Sequence, residues 1–334
     1  MLRGNIEQIA ERVLAVLLSS TYRKNSLAAM QLPQCAPAMI SSLSRCIRRD
    51  SPIQITLLAF PFKVPNPAKV GARALPDFAE LAAIRHCLKL NAAIRRIYSP
   101  GLQCHILHDG LLIADVFGIQ NGEILQYQTY FSKLVAMEAS DVIFCHNFSA
   151  LQIQNALDWS DSIDELQFAA ERWFRQACGA AEWITAFRKT LGMINLRDHS
   201  AKSVVNLLRH ATIGRLPVGW ENVEQRVHKA MIQYHVADAV IHQYDPRPLH
   251  FPDAIHATTQ ERVGRLALWL VRRGQSLLPW HGIGCIDDRG RPMVSYAIEV
   301  SDRNDYRPLF VDRENAPFVH CKRGDGVHLK FDLQ

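Results

Sequence analysis

The sequence predicts an α/β protein with a Rossmann-like lobe over residues 1–150, a helical segment over 151–250 and a mostly antiparallel α+β lobe over 251–334. Three patterns carry that expectation. Short apolar runs alternate with amphipathic stretches between residues 53 and 146, the order that builds a partly parallel sheet covered by helices. Helical periodicity then continues with short breaks from Leu151 to Ile213, and again from Trp220 to Tyr244. Beyond Asp253 the pattern changes to brief strands separated by turn signals such as Arg272-Arg273-Gly274 and Asp287-Asp288-Arg289-Gly290. The last lobe is expected to complete a cleft against the first.

Taken in order, Asn5–Ser19 and Ala36–Arg49 read as helices, and Ile53–Phe60 as a buried strand. Pro61, Pro65 and Pro67 cannot extend that strand, because none has an amide proton for the ladder. The chain must leave the sheet in a stiff loop carrying Lys63, Asn66 and Lys69. Asp77, with Glu80 three residues on, forms a capping box for a helix that runs to Tyr98 and stops at Ser99-Pro100-Gly101. Such a loop beyond a strand end, facing a helix start, can bind an anion or a carbonyl substrate. The alternative is a proline-stiffened surface loop with solvated lysines. Gln103–Leu107 and Leu111–Phe117 read as a hairpin turning at His108-Asp109-Gly110, followed by a helix over Asn121–Met137 and a strand over Val142–Cys145. Neither a Gly-x-Gly-x-x-Gly fingerprint nor a Walker loop follows a strand, so a dinucleotide or ATP is not expected.

Within the helical segment, Arg197, His199, Lys202 and Arg209 form the densest basic cluster, either an anion site or a solvated helix face. His228, His235 and His242 share one helix face, but a seven-residue spacing sets them roughly 10 Å apart, too far for one metal ion. His105 and His108, three apart on a strand, point to opposite faces. No metal site is expected. The last lobe reads as strands over Ala254–Thr258, Arg265–Val271, Leu277–Ile286, Val294–Val300, Leu309–Val311 and Phe318–Cys321. Its most pointed motif is Leu278-Pro279-Trp280-His281-Gly282. An indole beside an imidazole makes a stacking platform with a proton-transfer group, or else two core residues.

Composition narrows the classes. The chain has 334 residues, 48% hydrophobic and 21% charged, which is ordinary for a folded protein with a full core. The net charge of +6 suits phosphorylated or carboxylate substrates and is too diffuse for nucleic acid. No apolar run reaches the roughly 18 to 20 residues of a membrane span. Ile6–Leu18 carries Glu7, Glu11 and Arg12 at helical spacing, which marks an amphipathic helix and not a signal peptide. Eight cysteines, with no Cys-x-x-Cys pair, lie mostly in apolar runs and read as reduced thiols of a cytoplasmic protein.

Together these motifs resemble a known family. Phe60-Pro-Phe-Lys63 with Asn66 and Lys69, Leu75-Pro-Asp77 with Glu80, Tyr98-Ser-Pro-Gly101, Asp109-Gly110 with Asp115 and Gly118, the strand beginning His256-Ala-Thr-Thr, and Pro279-Trp-His281 carry the likeness. In matching order, from about residue 53 to 286, they are similar to the isocyanide (isonitrile) synthases of the pyoverdine/dityrosine biosynthesis family. Glu261-Arg262 departs from the pattern, where prolines are expected.

The resemblance implies a cofactor-independent enzyme that turns the amino group of an aromatic L-amino acid, tyrosine first and tryptophan second, into an isonitrile. The added carbon would come from ribulose 5-phosphate, and an iron/2-oxoglutarate oxygenase would act on the product. For that chemistry His281 or Glu80 is assigned to proton transfer, with Lys63 as a further catalytic group, and Lys63, Lys69, Lys202 and Arg209 to phosphate or sugar binding. Trp280 would face the aromatic side chain, with Asn66, Asp77, Asp109, His199 and His256 as further substrate contacts. The chemistry makes matching demands. An amine must be neutral to attack a ketone, so a base is needed, and lysine or arginine suits a dianionic phosphate. The competing readings are a non-catalytic protein holding a phosphorylated metabolite and a nucleotide-dependent oxidoreductase, the latter disfavoured by the missing glycine fingerprint.

Overall fold

The structure is a computed structural model that describes residues 2–21, 26–71, 74–153, 159–211, 214–243, 245–259, 265–275, 277–301, 306–310 and 318–322. Helices α1 (Leu2–Ser19) and α2 (Ser26–Arg48) precede strand β1 (Ile53–Leu58), whose apolar residues Ile53, Ile55 and Leu57 are buried. Helix α3 (Phe78–Arg95) leads to β2 (Leu102–His108), and α4 (Gly110–Phe117) and α5 (Asn121–Glu138) lead to β3 (Ile143–Asn147). Among the described residues six helices follow: α6 (Phe148–Ile153), α7 (Trp159–Gln176), α8 (Ala180–Leu191), α9 (Ala201–His210), α10 (Glu221–Gln243) and α11 (Arg247–His250). Only then does β4 (Ile255–Ala257) return to the sheet, where it pairs in parallel with β1.

The first sheet is parallel throughout, in the order β3-β2-β1-β4. The chain steps outward from β1 to β3 and then jumps back to the opposite side of β1. This reversal opens a crevice at the carboxyl ends of β1 and β4, the usual ligand position in open α/β sheets. The second sheet, in the order β6-β5-β8-β7, is mixed. It comprises β5 (Ile283–Ile286), β6 (Pro292–Ser295), β7 (Tyr306–Phe310) and β8 (Phe318–Lys322), with antiparallel pairs at β5/β6 and β7/β8 and a parallel pair at β5/β8. Helix α12 (Ala297–Ser301) lies between β6 and β7.

Several local expectations are corrected. Residues 110–117 form α4 and not the second strand of a hairpin, since an apolar run of eight suits a buried helix as well as a strand. Gly118, left-handed at φ +66, closes that helix by donating its amide to Ala114. The expected strand at Ala254–Thr258 belongs to the parallel sheet and not to the C-terminal one. Residues 265–271 make only isolated bridges, at Ala267 with Thr258 and at Leu268 with Thr21. Pro279–His281 is a single turn of 3-10 helix, with Pro279 at its start where a missing amide proton costs nothing. The stretch from Val294 to Val300 splits into β6 and α12. Val311, Glu261 and Arg262 lie outside the described residues.

The two sheets meet at the start of α3. A Cβ on Gly284 of β5 would sit 2.3 Å from the amide nitrogen of Ala79 and 2.6 Å from Phe78, so strand and helix backbone are in direct contact. The Gly284 amide donates to Asp77 Oδ1 at 3.1 Å. Neither backbone can move aside cheaply. Gly284→Ala is expected to destabilise the protein by roughly 1 to 3 kcal/mol, read as a lower Tm, whereas Gly290→Ala, with open space around its Cβ position, should act only through its φ of +70.

Candidate active site

The proline loop after β1 is not a solvated surface loop. Residues 61–66 are all buried, and Phe60 adopts a left-handed φ of +54, unusual for a bulky side chain. Surrounding contacts hold that turn. The Phe60 ring stacks on Phe131 with centroids 4.3 Å apart and meets Trp280 edge-on at 5.0 Å, and its carbonyl lies 2.8 Å from His108 Nδ1. Beyond it, Val64 donates its amide to the Trp280 carbonyl, Asn66 Oδ1 accepts from the Ala68 amide at 3.0 Å, and Leu196 donates its amide to the Pro65 carbonyl.

Lys63 points inward, to the predicted capping box. Its Nζ lies 2.6 Å from Asp77 Oδ2 and 3.1 Å from Glu80 Oε2, with no exposed side-chain surface. Asp77 caps α3 by accepting from Ala79, and its own amide donates to Glu80 Oε2 at 2.8 Å. Tyr127 of α5 donates to Glu80 Oε1 at 3.0 Å. Burial works against the Lys63 charge, but the two carboxylates outweigh it and hold its pKa above the ordinary value. Burial, with Asp77 adding repulsion, pushes the Glu80 carboxyl up despite Lys63.

A cavity opens at the crevice between β1 and β4. Leu58 and Ala59 from the end of β1 and Thr258 and Thr259 from the end of β4 form its floor. Asp109 borders it at the start of α4, Lys189 from α8, Tyr234 and Asp238 from α10, and Trp280 and His281 from the 3-10 turn, with Arg265 alongside. His281 is held down to about 3 by burial, reinforced by the charges of Lys69 and Lys189. Among the described residues no group of three His, Cys, Asp or Glu could hold a metal ion.

Of the residues singled out from sequence, Asp109, Trp280 and His281 line this cavity. Lys69 adjoins it: its Nζ is 5.8 Å from the Tyr296 ring centre and lies beside Gly192 at the end of α8. Lys63, Asp77 and Glu80 form their own buried network, and Asn66 is buried in the loop. His256 lies within β4, its Nδ1 2.8 Å from Thr56 Oγ1, and burial lowers it to about 4. The basic cluster is not brought to the cavity. Lys202 and Arg209 are exposed on α9, and His199 rests against the Trp220 ring at 4.8 Å. Lys189, Tyr234, Asp238 and Arg265 went unread in the sequence. Tyr234 and Asp238 are one turn apart on α10, a spacing that places both on one face.

Lys69 illustrates the electrostatics. Burial alone lowers it to about 8. The folded state therefore sheds a proton that the unfolded chain keeps until about 10.5, a difference of roughly 3 kcal/mol. The penalty is full below pH 8 and fades as pH rises toward 10.5. Lys69→Met is expected to raise the Tm at pH 7, with the gain shrinking between pH 8 and 10.5 in a thermal-melt series.

The comparisons with known proteins agree with this architecture. Residues 43–200 match the family model described as Pyoverdine/dityrosine biosynthesis protein. The chain's likeness is to the PvcA-type isocyanide synthases. It aligns over 94% of its length with 99% of the PvcA protein of Pseudomonas aeruginosa, known from a crystal structure, with a TM-score of 0.67 and 21% sequence identity; the two share a fold. An L-tyrosine isonitrile synthase of Xenorhabdus nematophila is 26% identical over 174 residues, 49% of each chain. The L-tryptophan isonitrile synthase AmbI2 of Fischerella ambigua is 26% identical over 124 residues, 37% of each. The aligned part thus spans half or less of these curated PvcA-type relatives.

Proposed function

We propose that the protein is an isonitrile synthase that acts on an aromatic L-amino acid, tyrosine before tryptophan, and takes the isonitrile carbon from ribulose 5-phosphate. The observation that carries this reading is the cavity at the β1/β4 crevice, which is lined by aromatic, acidic and basic residues together. Trp280 and Tyr234 both line it, and their rings suit an aromatic side chain. Lys69 and Lys189 flank His281 and suit a phosphate dianion, whose arrival would offset both positive charges and lift the imidazole toward the range where it exchanges protons. Relatives named for L-tyrosine and L-tryptophan support the substrate class. No helix among the described residues is long and apolar enough to cross a membrane. An iron/2-oxoglutarate oxygenase is the partner proposed to consume the product. Incubating the protein with ribulose 5-phosphate and each aromatic amino acid, then searching for the isonitrile by mass spectrometry, tests the reading. Failure to form one from any of them would overturn it.

A further inference from the structure

Asp109 occupies the N-cap position of α4, where an aspartate normally accepts a hydrogen bond from an amide two or three residues on. It makes no such bond. Asp109 lines the cavity, and Asp238 lines it from α10, one turn beyond Tyr234. Lys69 and Lys189 act on His281, whereas Asp109 feels the repulsion of Asp238 and the opposing attraction of Arg247. A helix-start aspartate that leaves its cap unmade and lines a cavity together with a second aspartate suits a cationic ligand group. Tyr234 and Trp280 line the same cavity.

We propose that Asp109 and Asp238 form the ammonium subsite of the amino-acid substrate, and that Asp109 removes the proton that keeps its nitrogen from reacting. The inference rests on the reading of the site as one for an aromatic amino acid. In the step, one N–H bond of the ammonium breaks, the proton passes to a carboxylate oxygen of Asp109, and the nitrogen keeps the electron pair with which it attacks the ketone. No oxidant or reductant is involved. Burial and the Asp238 charge push Asp109 up to about 6, which makes it a better proton acceptor than a solvated aspartate. The other charged or titratable groups bearing on the pair are Lys189 from α8, Tyr234 from α10, His281, Arg265 and Arg247.

Calorimetric titration with L-tyrosine and with 3-(4-hydroxyphenyl)propanoate, which lacks the amino group, tests the subsite. The wild type is expected to prefer L-tyrosine at least tenfold at pH 7.5. Asp109→Asn and Asp238→Asn, both near-isosteric, should each cut L-tyrosine affinity about tenfold and leave the deamino compound unchanged. In turnover with ribulose 5-phosphate, Asp109→Asn should lower kcat at least a hundredfold, while Asp238→Asn should act mainly on KM for the amino acid. Equal weakening of both ligands, or no weakening in folded variants, overturns the subsite and leaves the functional reading standing. A folded Asp109→Asn enzyme with wild-type kcat overturns the proton-transfer role. If the wild type binds neither of these compounds nor L-tryptophan, the aromatic amino-acid reading falls, and the subsite with it.

Discussion

Replacing Lys63 with methionine is expected to cost about 3 to 5 kcal/mol of stability, the usual penalty for removing one partner of a buried ion cluster. The substitution fills a similar volume but leaves Asp77 and Glu80 facing each other without their cation, 0% of the Glu80 side chain being exposed. It also weakens the joint between the sheets, because the same Asp77 carboxylate accepts from Gly284. Chemical denaturation should show a lower midpoint at unchanged slope. The triple variant Lys63→Met/Asp77→Asn/Glu80→Gln should recover part of the loss, since the orphaned charges go with it. Were Lys63 chiefly a phosphate ligand, Lys63→Met would keep its stability and lose ketose-phosphate affinity instead.

His281→Gln is expected to do the reverse. Glutamine keeps much of the hydrogen-bonding reach of the imidazole but cannot carry a proton near neutral pH. Turnover should fall roughly a hundredfold or more, with both substrates still bound and a near-native Tm at pH 7.5. The acid limb gives an independent check. The folded imidazole titrates at about 3, whereas the unfolded chain protonates near 6.5. Wild-type stability therefore declines as pH falls from about 6.5 toward 3, because the unfolded state binds the extra proton. The glutamine variant should lose less stability across that window. Unchanged turnover in the folded variant would remove His281 from the mechanism and return attention to Glu80.

How much of this was legible in the sequence depends on the range of the contacts. The capping box at Asp77 and Glu80 is a local signal, and it forms as the spacing requires. The proline loop and the start of the parallel sheet are local too. Local signals failed where an apolar run fits two periods. Leu111–Phe117 of α4 read as a strand, although Asp109 before the helix and Gly118 after it mark its ends. They failed again at Lys63, where a lysine on a loop gives no hint that two carboxylates some fourteen and seventeen positions later will enclose it. The cavity was the least legible feature. Its walls come from residues as far apart as Leu58 and His281, and nothing in either segment shows that β4 closes beside β1. The basic run at Arg197 to Arg209 was dense in sequence, yet helix geometry turns Lys202 and Arg209 to solvent.

The late return of β4 also bears on how the chain acquires its shape. About a hundred residues separate β3 from β4, so one edge of β1 stays bare until the chain reaches Ile255. Long-range pairings of this kind form slowly, and an unpaired apolar strand is a template for another copy. A fragment ending near residue 200 would hold the whole stretch matched by the family model and still lack β4, Trp280 and His281. Such a fragment would present β1 to its neighbours, and its expected fate is association rather than a smaller working unit.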